Sequence, residues 1–236
     1  MKQVGKYYFC NIIDTSSHCA HINILKNKRS QGILTSVIRF WKQYGIPDYF
    51  QLDNELSFRG SNRYPHSFGL LIRFLLSQGV IPVFIPQAEP WRNGIIEKFN
   101  DTFDKKCFRT QTFENHEQLV EHVQSFERFH NQNHRYSING NRTPLHVHLQ
   151  NQSPCYLDKQ YQIPDFIPLE VGEIIIIRFI RSNCLLNIFG ESFLLKPDLV
   201  YNYVEAHILI ESQAIKIYAD NKLVQEFSYH TPVDWM

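Results

Sequence analysis

Along the first 150 residues, the spacing of hydrophobic positions changes between the two-residue period of strands and the 3.6-residue period of helices. Runs of β-branched and aromatic residues have strand length, and Gly, Pro, Asn and Ser separate them from the helical stretches. The predicted elements, in chain order, are strand 6–14, strand 19–25, helix 30–45 with Ser30 as its N-cap, buried strand 49–52, helix 68–76, strand 80–85, helix 95–108, and helix 115–134, after which the helical signal fades past Pro144. This order predicts an α/β fold.

After residue 168 the pattern changes to short strands separated by turn residues. Pro154, Pro164 and Pro168 mark the transition. The predicted strands are 173–180, 185–189, 192–195, 203–210, 214–218 and 223–229. Short, evenly spaced strands are typical of a small all-β barrel. The sequence therefore predicts an α/β core at residues 1–150, a linker at residues 151–167 and a small β-barrel at residues 168–236.

Composition narrows the class of protein. Of the 236 residues, 43% are hydrophobic and 20% are charged, which excludes a disordered chain. No apolar run reaches the roughly 20 residues of a membrane helix, and the N-terminal residues lack the apolar region of a secretory signal. The five cysteines are scattered without a CxxC pair, and no P-loop or GxGxxG is present. We therefore expect a cytoplasmic protein with neither a membrane nor a small-molecule partner.

The charge is distributed unevenly, although the net charge is only +1. Residues 1–150 contain 18 Lys and Arg against 12 Asp and Glu, whereas residues 151–236 contain 6 against 11. A basic first part suits a polyanion such as DNA, but only weakly, because an ordinary solvated surface explains the same excess.

Two carboxylates occupy positions from which they can converge at a sheet edge. Asp53 directly follows the predicted strand 49–52, and Glu97 lies in the first turns of a helix entered through a loop rich in Pro and Gly. Carboxylates that leave positions open for water suit Mg²⁺ or Mn²⁺. The alternative is ordinary surface charge, since the chain has 23 acidic residues, and Glu55 and Glu89 on the same loops are rival ligands.

Four short motifs occur together in one order. Residues 12–18, IIDTSSH, are similar to an I-D-x-x-S-R strand and turn, and residues 50–58, FQLDNELSF, are similar to D-N-G-x-x-F, with Glu55 in place of the glycine. Residues 90–100, PWRNGIIEKFN, contain P-x-x-N-G-x-x-E, and residues 143–145, TPL, match a closing T-P segment. With these motifs the chain resembles DDE transposases of the integrase-core kind, nearest to those of bacterial insertion sequences.

The resemblance covers about residues 3 to 150 and implies an RNase H-like core with a mixed sheet. It implies Mg²⁺ or Mn²⁺ held by Asp53 and Glu97 as catalytic residues, and polynucleotidyl transfer that cleaves DNA ends and joins strands. The implied partners are DNA and either further copies of this chain or a full-length transposase. More loosely, the strands after residue 168 resemble the SH3-like barrel appended to many such transposases.

One departure from the family concerns the first catalytic aspartate, which has no counterpart here. Met1 stands almost at the strand that follows the family's opening strand, and Asp14 matches a non-catalytic aspartate. Asp14 can replace the missing acid only if the hairpin shifts. We therefore expect an N-terminally truncated transposase with impaired activity, and the alternative is a non-catalytic remnant that binds DNA or dimerises.

Candidate DNA contacts are basic residues on the loops and the helix around these carboxylates. The candidates are Arg59, Arg63, Arg92, Lys98, Lys105 and Lys106. Retroviral relatives carry DNA-contacting lysines on the helix face where this chain has Asp101 and Asp104. We therefore do not expect a DNA contact from that face here. Arg178 and Arg181 are further candidates for phosphate contact. A solvated surface is the alternative in each case.

The histidines at 130, 134, 146 and 148 also invite a metal-site interpretation. No cysteine stands at the spacing of a zinc finger beside them, so we do not predict a metal site there.

Overall fold

The computed structural model describes residues 2–4, 7–55, 58, 66–86, 89–109, 111–150 and 154–231. These residues form two compact units, one from residues 1–46 and 90–161 and the other from residues 47–89 and 162–236. The elements are β1 (Lys2–Val4), β2 (Tyr7–Ile13), β3 (Ala20–Leu25), α1 (Ser30–Tyr44), β4 (Tyr49–Leu52), α2 (Leu70–Ser77), β5 (Ile81–Phe84), α3 (Gly94–Phe103), α4 (His116–Gln132), α5 (Pro144–Gln150), β6 (Glu173–Phe179), β7 (Leu185–Ile188), β8 (Glu191–Leu194), β9 (Tyr203–Leu209), β10 (Ala214–Ala219) and β11 (Lys222–Ser228).

The predicted strands and helices are confirmed to within a few residues, but several details are wrong. Strand β1 was not predicted. Helix α1 begins at Ser30 instead of being capped by it, because the side chain of Asn27 accepts a hydrogen bond from the Arg29 amide and places Arg29 at the N-cap. Strand β4 lies at the end of its sheet, and Tyr49 is 60% exposed, so β4 is not a buried strand.

The helical signal does not fade after Pro144, since α5 begins there. Proline is tolerated at the first helical position, where its missing N–H has no helical partner. Oγ1 of Thr143 accepts a 3.4 Å hydrogen bond from the His146 amide, as an N-cap residue does. Thr143 and Pro144 together therefore form a local signal for the start of a helix.

The first unit contains a three-stranded antiparallel sheet in the order β1-β2-β3. One face of the sheet packs against α3 and α4. The buried residues of this core are Phe9, Ala20, Ile22, Phe99, Phe103, Cys107, Leu119, Val123 and Phe126. Phe129, on the same helix α4, is 49% exposed, and Nζ of Lys106 lies 5.3 Å from its ring centroid.

The second unit contains a six-stranded mixed sheet in the order β11-β10-β9-β6-β5-β4. Strands β4, β5 and β6 are parallel, and the pairs from β6 to β11 are antiparallel. Within the described residues, β7 and β8 form a separate two-stranded sheet. The α/β fold with a mixed sheet is confirmed. Because β6 pairs with β5, four of the described strands after residue 168 (β6, β9, β10 and β11) extend the sheet of β4 and β5, and the SH3-like barrel is not confirmed. The boundaries at 150 and 168 stay a prediction.

Gly172, just before β6, should tolerate no side chain. Its φ is +120°, and an added Cβ would lie 2.8 Å from Cδ2 of Leu76, which is itself buried. We expect Gly172→Ala to lower the free energy of unfolding by about 2 to 4 kcal/mol, since backbone strain and overpacking add. Urea denaturation measures this loss.

Gly190 provides the matched control for this variant. Its φ is +97°, but no atom lies within 4 Å of the added Cβ. Gly190→Ala should therefore show only the backbone cost, about 1 kcal/mol. Equal losses in the two variants would contradict the steric explanation.

Candidate functional site

Asp53 lies on a tight turn at the carboxyl end of β4. Its Oδ1 accepts a 2.9 Å hydrogen bond from the Glu55 amide, and the next side chain, Asn54, donates from Nδ2 to the carbonyl oxygen of Ile85 at 2.7 Å. The Ile85 amide in turn donates to the carbonyl of Leu52. These bonds join the turn to the residue that follows β5. Asp53 is half-buried, and among the described residues no hydrogen bond engages its Oδ2.

Glu97 lies in the first turn of α3, which follows a 3₁₀ helix at Pro90–Asn93. Phe99 and Phe103 from the same helix are buried in the core, and this orientation leaves Glu97 exposed. A carboxylate in the first turn is also favoured by the helix dipole. The local structure therefore presents Glu97 to solvent.

Asp53 belongs to the second unit and Glu97 to the first, and each is described within its own unit. Their convergence on one metal ion stays a prediction. The described residues contain no group of three or more His, Cys, Asp or Glu side chains that could hold a metal ion. Glu55 and Glu89 are the rival candidates for metal binding. Glu89 accepts a 2.8 Å hydrogen bond from the hydroxyl of Tyr203.

Asp14 has a structural role in the hairpin between β2 and β3. Its Oδ1 accepts a hydrogen bond from the Ser16 amide, and its Oδ2 accepts from both the amide and the hydroxyl of Ser17. The Asp14 amide donates to the carbonyl of Cys19 across the turn. Because both carboxylate oxygens hold the turn closed, this geometry supports the non-catalytic interpretation of Asp14.

The candidate DNA contacts differ in their surroundings. Arg59 and Arg63 lie outside the described residues, whereas Arg92 and Lys98 are exposed. Lys106 is exposed beside Phe129. Their contact with DNA stays a prediction.

Lys105 lies in the π-helical segment Asp104–Phe108 that follows α3, and it is engaged by Asp101 of α3. Its Nζ lies 2.7 Å from Oδ2 of Asp101, and this hydrogen bond lowers the pKa of the Asp101 carboxyl. Asp104 is paired in the same way with Arg109, at 2.9 Å. The two acids that would repel phosphate are thus partly neutralised by neighbouring cations, so they repel DNA less than the sequence suggested.

A buried polar cluster that no local sequence pattern indicated lies between α4 and the outer edge of β3. Oδ1 of Asn131 accepts from the Ala20 amide at 2.9 Å, and its Nδ2 donates to the Ala20 carbonyl at 2.8 Å and to the Tyr44 hydroxyl at 2.9 Å. One turn earlier, Glu127 accepts from the Ile22 amide at 2.7 Å. In the described part of the sheet these side chains stand where a further strand would pair.

His130 belongs to the same cluster. Its Nε2 lies 3.0 Å from the carbonyl oxygen of His18, and its ring packs against Phe99 and Phe126. Burial lowers the pKa of His130 to about 4. The histidine motif therefore has a structural explanation.

The buried His130 predicts a loss of stability in acid. Because its pKa in the folded protein lies below the ordinary 6.5, the unfolded state binds the proton more tightly. The part of the free energy of unfolding that depends on neutral His130 is fully present above pH 6.5. It is lost as the pH falls toward 4, by up to about 3 kcal/mol. Burial also lowers the pKa of His18 and His134, which act in the same direction. Urea denaturation between pH 7.5 and 4.5 measures the slope.

The variant His130→Gln should flatten this pH dependence. The matched control is His146→Gln, because His146 is exposed and lies in the same unit. We expect His146→Gln to leave the slope of unfolding free energy against pH unchanged. If His130→Gln also left this slope unchanged, His130 would not be the cause of the loss in acid.

Comparison with known proteins gives one family match and several structural matches. Residues 78–144, which include Glu97 and its preceding loop, match the family described as Integrase core domain. No curated protein sequence matches the chain significantly.

Among solved structures, a chain of the simian T-cell lymphotropic virus intasome in complex with PP2A regulatory subunit B56 gamma is 13% identical, with a TM-score of 0.50. The match covers 95% of this chain and 71% of that one. The HTLV-2 integrase catalytic core domain in complex with magnesium is similar in its trimeric form (17% identity, 60% and 84% coverage, TM-score 0.42) and in its dimeric form (18%, 60% and 84%, 0.41).

The intasome match shows a common fold, and the family match identifies the segment that carries Glu97. Together they support the resemblance that the motifs indicated: residues 78–144 match an integrase core domain, and the fold is similar to that of an intasome chain. At a general level this supports polynucleotidyl transfer as its class of function. Among the described residues, no helix has the length and apolar character needed to cross a membrane.

Proposed function

We propose that this protein cleaves and joins DNA strands by metal-dependent polynucleotidyl transfer, with Asp53 and Glu97 as two of its metal-binding carboxylates. The main support is the family match over residues 78–144, because it contains the P-x-x-N-G-x-x-E segment that ends at Glu97. Asp53 supports the proposal through its place at the carboxyl end of β4, on a turn held by hydrogen bonds.

The two carboxylates suit Mg²⁺ or Mn²⁺ chemically. Both ions prefer oxygen ligands and retain several waters, so they need few protein groups. Asp53 offers Oδ2, which no described residue engages, and Glu97 is exposed at its helix start. When bound, such ions activate the attacking water or hydroxyl and stabilise the leaving oxygen.

DNA is the proposed partner, and its backbone is the proposed contact for the exposed cations. Arg92 and Lys98 flank Glu97 in the sequence and are exposed, so they can neutralise phosphates near the reacting strand. Arg59 and Arg63 are proposed to act in the same way from their loop. Lys105 and Lys106 are proposed in the same role, from a segment where Asp101 and Phe129 contact them.

Self-association is proposed as well, on the analogy of the trimeric and dimeric forms named for the HTLV-2 core and of the simian intasome. We also keep the SH3-like assignment of residues 168–236 as a proposal, supported only by its strand pattern.

A non-catalytic role in DNA binding or dimerisation is the second candidate. It is favoured by one observation, namely that Asp14, the candidate substitute for a third metal-binding acid, is engaged through both carboxylate oxygens by Ser16 and Ser17.

The two functions are separated by an assay on the purified chain. We expect Mn²⁺ binding by electron paramagnetic resonance, and joining of an end-labelled or branched DNA only with Mg²⁺ or Mn²⁺ present. DNA binding should weaken steeply between 50 and 200 mM salt, by about tenfold or more, because phosphate contacts release counterions. Binding to DNA without any metal-dependent joining would favour the non-catalytic function. No DNA binding would contradict both.

A further inference from the structure

An arginine from β6 is hydrogen-bonded to the turn that carries Asp53. Nη2 of Arg178 donates to Oδ1 of Asn54 at 2.6 Å, and Nη1 donates to the carbonyl oxygens of Ile85 at 3.1 Å and Ile177 at 2.8 Å. Asn54 donates to the same Ile85 carbonyl at 2.7 Å. One guanidinium group therefore joins the Asp53–Asn54 turn, the residue after β5 and its own strand.

These contacts depend on the planar shape of the guanidinium group. Its two terminal nitrogens are held in one plane, so each can meet a separate acceptor at a fixed angle. A lysine carries the same charge on one nitrogen and cannot span Asn54 and Ile85 in the same way. Arg178 is also half-buried, so its contacts are shielded from water.

We propose that Arg178 is a positioning residue for Asp53: through Asn54 and Ile85 it holds the turn so that the Asp53 carboxylate faces a metal ion. This inference rests on the proposed function for the metal-binding role of Asp53. It gives β6 a part in the site, although Arg178 follows Asn54 by 124 positions in the sequence. A fragment that ends at residue 150 would lack this support.

Arg178 also lines an open cleft together with Arg181, where both side chains could instead meet a DNA phosphate. The two roles predict different responses to a lysine at position 178. A phosphate contact needs mainly the positive charge, so Arg178→Lys would preserve most of it. A positioning role needs both terminal nitrogens of the planar guanidinium group, so Arg178→Lys would behave like Arg178→Gln.

The first test uses amide hydrogen exchange without metal or DNA. The Glu55 amide, which donates to Asp53, reports the closed turn. We expect Arg178→Gln, Arg178→Lys and Asn54→Ala each to lower its protection by about tenfold or more. Arg181→Gln, which removes the neighbouring charge of the cleft, should leave it unchanged. Unchanged protection in both Arg178 variants would overturn the inference, and so would full restoration by lysine.

The second test measures Mn²⁺ affinity and strand joining. We expect all three variants to weaken Mn²⁺ binding by about tenfold and to lower kcat, with little change in KM for DNA. The double variant Arg178→Gln/Asn54→Ala should be no worse than either single one, because both act through the same turn. Mn²⁺ affinities within about twofold of the wild type would overturn the metal-directed role.

The failure of this inference is distinguishable from the failure of the proposed function. A wild-type chain that binds no Mn²⁺ contradicts the function, whereas the exchange experiment still decides whether Arg178 holds the turn. If Arg178 is a phosphate contact, Arg178→Gln raises KM and lowers the salt dependence of DNA binding, while exchange at Glu55 stays as in the wild type.

Discussion

Replacing Asp53 by asparagine or Glu97 by glutamine should lower metal-dependent strand joining by at least about a hundredfold. Each change keeps the size of the side chain but removes the negative charge with which a carboxylate binds Mg²⁺ or Mn²⁺. The Glu55 amide can still donate to the side-chain oxygen of Asn at position 53, so the turn should remain folded. Single-turnover joining of a labelled DNA and Mn²⁺ titration measure the two effects.

Two matched controls test whether position or charge alone matters. Asp48 is exposed just before β4, at the opposite end of the strand from Asp53, and Glu117 is exposed in the first turn of α4, as Glu97 is in α3. Asp48→Asn and Glu117→Gln should retain wild-type joining within about twofold. Equal losses of strand joining in the control and site variants would contradict the assignment of Asp53 and Glu97 as metal-binding carboxylates.

Replacing Asn131 by leucine should destabilise the protein by roughly 3 to 5 kcal/mol. The leucine is similar in size but leaves the amide and carbonyl of Ala20 without their partner, and each such buried group costs about 1 to 3 kcal/mol. It also removes one of the two hydrogen bonds that the Tyr44 hydroxyl accepts, the other coming from Gln43. Asn131 is only 4% exposed, so water cannot easily replace it. Urea denaturation at pH 7.5 measures the loss.

Two control variants test whether the loss of stability comes from the hydrogen bonds of Asn131 and not from placing a leucine on α4. Tyr44→Phe removes only one of the three partners and should cost about 1 kcal/mol. Gln132→Leu changes the adjacent, exposed residue of α4 and should alter stability by less than about 0.5 kcal/mol. An Asn131→Leu protein as stable as Gln132→Leu would show that the edge of β3 does not depend on this side chain.

The candidate carboxylates could be found from sequence because each lies inside a local signal. Asp53 follows a run of strand-forming residues, and β4 begins and ends as predicted, at Tyr49 and Leu52. Glu97 follows a Pro- and Gly-containing loop, which places it at a helix start. Local patterns of this kind depend on neighbours within a few residues.

The supporting side chains could not be found in this way. Asn131 bonds to Ala20, which is 111 positions away, and Arg178 bonds to Asn54 across 124 positions. No local pattern distinguishes such an asparagine or arginine from the many that are solvated. From the sequence, Arg178 was a candidate phosphate contact, and Asn131 lay between His130 and His134, where no metal site was predicted.

The sequence by itself indicated the resemblance to integrase cores, most of the elements in their order and the two candidate carboxylates, because hydrophobic periodicity and short motifs are local properties of the chain. Only the tertiary structure decided that β6 joins β5, that Asn131 covers the edge of β3 and that Arg178 holds the Asp53 turn. Backbone and side-chain polar groups must find partners when folding removes them from water, and which groups become neighbours depends on the packing of distant segments.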